Sequence, residues 1–176
     1  MIKRRQFLTQ GVTAAAALAT VNVVPRYVVA GSGKTPPSEI PNVAGVGIGG
    51  VGHGQIQSCA KAGFRVGALC DVDDVMAEKT FRKFPQAKRY RDFREMFAVE
   101  GDKIDAVYCG TPDHTHAIVS MAALKARKHV LTVKPLTRTI WEGRMLAEEA
   151  LRAGVMTQMT ASPASTENGC RTCELI

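Results

Sequence analysis

Two stretches of this chain carry residues spaced for nucleotide chemistry. Gly47, Gly49 and Gly52 stand in NVAGVGIGGVGHG, directly behind the apolar run Val43-Ala44-Gly45-Val46. Asp71 closes a second apolar run, Val66 to Cys70, nineteen residues after Gly52. A strand, a Gly-x-Gly-x-x-Gly turn, a helix and a second strand ending in an acid is the arrangement that binds a dinucleotide. Gly47 would allow the tight turn out of the strand. Gly49, lacking a Cβ, would let main-chain amides approach a pyrophosphate, and Gly52 would let the helix pack close to the sheet. The amides from residue 47 to 52, those of Gly50 and Val51 included, are expected to cup the diphosphate where the helix dipole is positive. Asp71 is expected to accept hydrogen bonds from the adenosine ribose hydroxyls.

Two further loops hold titratable groups. One is Gly110-Thr111-Pro112-Asp113-His114-Thr115-His116 and the other Val133-Lys134-Pro135-Leu136-Thr137. A lysine at such a point can bind a ribose or polarise a substrate hydroxyl as hydride leaves, its cation favouring the developing alkoxide. A histidine such as His116 can donate or accept a proton near the same point. Plainer roles remain open: His114 and His116 can simply cap a helix, and Lys134 can be a solvated loop residue. As a metal pair the two histidines are weak, because residues two apart do not share a helix face. Cys170-Arg171-Thr172-Cys173 has redox or zinc spacing but lacks a second ligand pair, so no metal site is expected.

These residues need a scaffold, and the apolar periodicity describes one. Strands are expected at 44–48, 65–70, 88–90, 104–109 and 129–132, with a sixth at 155–158. Helices are expected at 52–62, with Ile56, Cys59 and Ala60 inward and Gly63 closing it, and at 72–84, stopped by Pro85. Asp92, with Glu95 three residues on, predicts a capping box for the next helix, and Thr139 with Glu142 predicts another. A helix over 114–126 is expected to put Ala117, Met121 and Leu124 on one face. The last is expected to bury Ala147, Ala150 and Leu151. Strands alternating with helices imply an α/β, doubly wound parallel sheet in three layers (a Rossmann fold), with ligand sites at the strand C-terminal ends. Cys70 and Cys109, at ends of central strands, read as buried small hydrophobes, and five cysteines in all make no disulfide framework.

The chain's ends carry other signals. Lys3-Arg4-Arg5-Gln6-Phe7-Leu8 is a twin-arginine pattern, followed by a weakly hydrophobic stretch from Gly11 to Val24 and small residues at Val28-Val29-Ala30. That stretch is too short to span about 30 Å of hydrocarbon. The expectation is therefore an export signal over 1–30, a periplasmic destination by the twin-arginine route, and no membrane anchor after cleavage. A flexible leader is expected over 31–41. Losing Lys3, Arg4, Arg5 and Arg26 takes four charges from the net +7. The remaining cations are interleaved with acids, which speaks against a nucleic-acid partner.

Taken together, VGIGGVG, ALCDVDD, PQAKRYRDFREMF, AVYCGTPDHTHA and HVLTVKPLT resemble the Gfo/Idh/MocA family of oxidoreductases (glucose–fructose oxidoreductase, inositol dehydrogenase and rhizopine-catabolism proteins) over about 43–158. The resemblance implies that residues 42–158 bind NAD, or NADP, and that the substrate is a sugar, polyol or related alcohol. It implies that Thr111, Pro112 and His116 line the nicotinamide end, and that Lys134 and Pro135 stand at the active centre with Lys134 and His116 as catalytic groups. Asp71 and Asp73 favour NAD, since a 2′-phosphate would meet negative charge. Two features depart from the family pattern. Val133 stands where the family has the glutamate of Glu-Lys-Pro. Residues 159–176 read as the shortened start of a second α/β domain that, in the family, supplies the substrate pocket and the usual oligomer interface. The chain is accordingly expected to be the cofactor half of a longer oxidoreductase, or an inert nucleotide-binding piece, or a relative of NAD-dependent glycoside hydrolases.

Overall fold

A computed structural model describes residues 35–161 together with 170, 171 and 174. The chain divides into two units, Met1–Glu39 and Ile40–Ile176. In the first, the described part contains a single 3-10 turn, Pro37–Glu39, closed by Glu39 N donating to Pro36 O at 2.9 Å. The leader expected to be flexible thus contains one ordered turn. The twin-arginine segment lies outside the described residues, as do residues 162–169 and Cys173.

In the second unit six strands form one sheet in the order β3-β2-β1-β4-β5-β6. They are β1 (Asn42–Val46), β2 (Arg65–Cys70), β3 (Lys88–Tyr90), β4 (Ala106–Cys109), β5 (His129–Val133) and β6 (Thr157–Thr160). Every pairing is parallel. The first strand after β1 pairs on one side of it and β4 pairs on the other. Strand order therefore reverses between β1 and β4, and the connections leave opposite faces there, opening a crevice above the strand ends.

Strand side chains divide between two cores with a period of two, broken on β2 between Val66 and Ala68, where the pairing with β1 shifts register. Ala44, Val46, Ala68, Cys70, Val107, Cys109 and Val130 face one cluster, which also holds Val119, Leu124, Leu146 and Ala150. Val43, Val66, Leu69 and Tyr108 face the other, with Ile56, Ala77 and Phe81. The helices that close the two faces are α1 (Val51–Lys61), α2 (Asp74–Lys83), α3 (Phe93–Glu100), α4 (His116–Lys125) and α5 (Ile140–Ala153). With a layer of helix on each face, the Rossmann fold expected from the periodicity is what the chain adopts.

Local chemistry explains the boundaries. Helix α2 begins at Asp74, two residues later than the pattern suggested, because Asp73 holds an extended φ of −108° and caps it, its carboxylate accepting from Val75 N and Met76 N at 2.9 and 3.1 Å. Thr139 and Glu142 form the full reciprocal box, and Gly154, left-handed at φ 68°, ends α5. The box expected at Asp92 is only half made. Asp92 accepts from Arg94 N at 2.9 Å, but its second oxygen goes to the Arg94 guanidinium at 2.7 Å, and Glu95 makes no return bond among the described residues. The helix expected from His114 starts at His116, after a 3-10 turn over Asp113–Thr115. The inward face of α5 is also corrected: Leu146 and Ala150 are buried, whereas Ala147 is exposed and Leu151 is 84% exposed.

Candidate cofactor cleft

The crevice at the strand C-terminal ends is a cavity of about 550 Å³. Its walls come from the turn after β1 (Gly47, Gly49, Gly50), the end of β2 (Cys70 to Asp73) and the loop after β4 (Gly110 to Pro112).

Gly47 turns the chain with φ 73°, and a Cβ there would lie 2.5 Å from Thr111 N. A Cβ on Gly52 would collide with the Gly47 carbonyl oxygen. Both positions admit only glycine, one for its dihedral and its neighbour, the other for close approach. The amides from 47 to 52 fall into three pairs. Gly47 N donates to Cys70 O and Gly52 N to Gly49 O. Ile48 N and Gly49 N both donate to Asp71 Oδ2, at 2.8 and 3.0 Å. Among the described residues the amides of Gly50 and Val51 engage no acceptor, and both sit at the N-terminus of α1. The expectation that all amides from 47 to 52 cup a diphosphate narrows to these two.

Asp71, expected as a ribose ligand, also ties the glycine turn to the end of β2. Its other oxygen, Oδ1, accepts from Asp73 N at 3.1 Å. A carboxylate has about four acceptor sites. Three are filled by the protein, and the fourth, on Oδ1, is left for a hydroxyl. A dinucleotide therefore fits the residues present: two unpaired amides at a helix start for the diphosphate and one acceptor for the ribose.

A second brace reaches the turn from α2. Thr80, fully buried, donates its hydroxyl to Ile48 O at 2.6 Å. Its single proton is spent there, so its oxygen accepts from His53 Nδ1 at 2.9 Å. His53 Nε2 is then the acceptor for the Gln57 amide at 2.5 Å. Burial holds the His53 ring below the usual imidazole range, helped by the Lys79 and Lys83 cations. His53 and Gln57 are four apart on one helix, which the sequence discloses. Their partner Thr80, twenty-seven residues on, is not disclosed by any local pattern.

His116 is placed differently from the expectation. It is 0% exposed, with Nδ1 2.7 Å from Pro135 O and Nε2 2.7 Å from Thr111 O. Both nitrogens face backbone carbonyls, which only accept, so the ring offers a substrate no free atom in this arrangement. It joins the loop after β4 to the loop after β5, bringing Thr111, Pro112, Lys134 and Pro135 into one neighbourhood. Thr111 is further held by Cys109 Sγ at 3.4 Å from its hydroxyl. Lys134 is exposed and has no hydrogen bond or ion pair among the described residues. His114 is exposed on the cleft wall.

Cys70 and Cys109 are buried thiols, as the sequence suggested. Burial, with Asp71, Asp92 and Glu95 beside it, pushes the Cys70 thiol up to about 12. Among the described residues no group of three or more His, Cys, Asp and Glu side chains is arranged to hold a metal ion.

Known proteins resemble this geometry. The family model described as an oxidoreductase family with an NAD-binding Rossmann fold matches residues 41–161. Inositol 2-dehydrogenase of Salmonella typhimurium is 30% identical over 112 residues, covering 62% of this chain and 33% of the relative. Alpha-N-acetylgalactosaminidase of Shewanella oneidensis is 25% identical over 173 residues, covering 86% of this chain and 37% of the relative. The crystal structure of an NAD-binding oxidoreductase from Klebsiella pneumoniae superposes with a TM-score of 0.66 at 28% identity, covering 77% of this chain and 38% of that one. The chain thus spans about a third of the length of the curated relatives it matches.

Proposed function

The chain belongs to the Gfo/Idh/MocA oxidoreductase family and forms its NAD-binding Rossmann domain, and we propose that it is the cofactor-holding half of an exported enzyme that moves hydride between a nicotinamide nucleotide and a sugar, polyol or related alcohol. One observation carries this reading: the two partnerless amides, Gly50 and Val51, stand beside a carboxylate with one acceptor site left. NAD, when bound, supplies the redox chemistry. The protein's residues do the rest. The α1 N-terminus attracts the diphosphate, Asp71 orients the adenosine ribose, and Asp73 beside it disfavours a 2′-phosphate. At the other end Lys134 presents an exposed, uncompensated ammonium that would stabilise the developing alkoxide of a substrate hydroxyl, whose proton would pass to a base of the substrate half and whose hydride would pass to the nicotinamide. The buried His116 ring keeps the two loops in register for that contact.

Binding is tested by titration calorimetry of this chain with NAD and NADP. Measurable NAD binding that exceeds NADP binding is expected, and no heat with either nucleotide overturns the reading. Lys134→Ala is expected to leave NAD affinity within about twofold, since the side chain has no structural partner, and to abolish turnover of polyols in a protein carrying the substrate half. Export is tested by fusing residues 1–30 to a folded reporter. Delivery to the periplasm that is lost on changing Arg4 and Arg5 to lysine supports the twin-arginine route, and delivery indifferent to them refutes it.

A second reading rests on the similarity to Alpha-N-acetylgalactosaminidase across 86% of the chain. In it the same cleft serves a glycoside hydrolase in which transient oxidation weakens the glycosidic bond. A chromogenic N-acetylgalactosaminide assayed with and without NAD separates the two. An inert nucleotide-binding role is separated from both by robust turnover with any of these substrates.

A further inference from the structure

The strand ends that line the cleft come in spatial order, and so do the parts of a dinucleotide. The free amides of Gly50 and Val51 follow β1, Asp71 follows β2, and Arg91 follows β3, one strand further out. If the diphosphate meets the first and the ribose the second, covalent connectivity carries the adenine base toward the third. Arg91 is on the cleft wall there, with Val72 and Phe93.

Arg91 is also held still. Its Nη2 donates to Val72 O at 2.8 Å, and its Nη1 pairs with Asp74 Oδ2 at 3.0 Å. Both partners belong to the segment that follows Asp71. A free arginine at 70% side-chain exposure would sample many rotamers. Two anchors on one short loop fix this guanidinium before any ligand arrives, so less entropy is lost on binding. The backbone ties the same elements together, Asp71 N donating to Tyr90 O at 3.1 Å.

Charge decides what such a group can grip. Asp74 already neutralises Arg91, and Asp71 and Asp73 stand close by, so a 2′-phosphate gains little there. What remains is the flat face of the guanidinium, which stacks on an aromatic plane. Resting on the NAD-binding reading above, we propose that Arg91 is the adenine platform of this cleft, a binding residue that selects for the base through its plane rather than through its charge.

The test measures dissociation constants of NAD, NADP and ADP-ribose for the unaltered chain, Arg91→Lys and Arg91→Met. Lysine keeps the charge and loses the plane. Methionine keeps length and loses both. The proposal expects both variants to weaken NAD and ADP-ribose by a similar factor of about two to ten, with the NAD-to-NADP preference unchanged. ADP-ribose lacks nicotinamide, so a matched loss puts the effect at the adenosine end. Full affinity in Arg91→Lys means the charge matters and overturns the platform. A loss confined to NADP makes Arg91 a phosphate grip and overturns it equally. Unchanged NAD affinity in both variants, with binding intact in the unaltered chain, removes Arg91 alone and leaves the cofactor reading standing. An unaltered chain that binds none of the three removes both.

Discussion

The Asp71 carboxylate oxygen Oδ2 lies 2.8 Å from the Ile48 amide nitrogen, across twenty-three residues of sequence. The acid proposed to face the ribose is therefore also the clasp that holds the glycine turn in shape. On that proposal binding and architecture share one side chain.

That sharing makes Asp71→Ala a test of both. Removing the carboxylate strands the amides of Ile48 and Gly49 in a half-buried site and turns the exposed Asp73 amide over to water. Leaving such donors unpaired costs on the order of 1–3 kcal/mol. The thermal midpoint should fall in the absence of any nucleotide, and NAD affinity should fall with it. An unchanged midpoint in differential scanning calorimetry would mean that the clasp has no mechanical role.

His116→Ala should be at least as damaging. The substitution opens a void beneath the cleft and removes the ring that packs between the Thr111 and Pro135 carbonyls, one of which loses its N–H donor, at a cost on the order of 2–4 kcal/mol. Urea unfolding measures the loss. A midpoint equal to that of the unaltered chain would show that the two loops are held together by other contacts.

His53 predicts a pH dependence. Its folded value is depressed below 6.5, by burial first and then by Lys79 and Lys83. In the window between the folded value and 6.5 the unfolded chain binds more protons, so stability rises with pH. The contribution is present above about 6.5 and is lost as pH falls through the folded value. Protonation at Nε2 would also set two donors, His53 and Gln57, against each other. Melting curves between pH 8 and 5 should fall more steeply for the unaltered chain than for His53→Gln. Parallel profiles would remove His53 as the cause.

Thiol reactivity should divide by burial. Cys70, raised to about 12 and 2% exposed, should resist iodoacetamide at pH 8, as should the buried Cys109, while the exposed Cys170 is alkylated. Peptide mass spectrometry reads the pattern directly. Labelling of Cys70 at a rate matching Cys170 would contradict the packing at the end of β2.

The sequence alone was sufficient for most of what depends on near neighbours, the half-made box at Asp92 excepted, where Arg94 takes the second oxygen. Alternating apolar runs disclose strands and helices because burial repeats every two or 3.6 residues along the chain. Thr139 with Glu142 discloses a capping box because both partners lie within one turn. The glycine spacing discloses the turn after β1 because a left-handed φ at Gly47 and the close approach at Gly52 admit only glycine.

Tertiary structure alone decided contacts between residues that sequence distance separates, since no periodicity links a side chain to a carbonyl twenty or thirty positions away. That Asp71 spends three of its acceptor sites on the protein was invisible until β1 and β2 lay side by side. That His116 is a buried brace between two loops, and Thr80 a support beneath Ile48, depends equally on which surfaces meet. Even the buried face of α5, shifted to Leu146 and Ala150, was set by the helix's rotation against its neighbours, because a pattern of apolar residues defines a broad stripe and only packing chooses the line of contact within it.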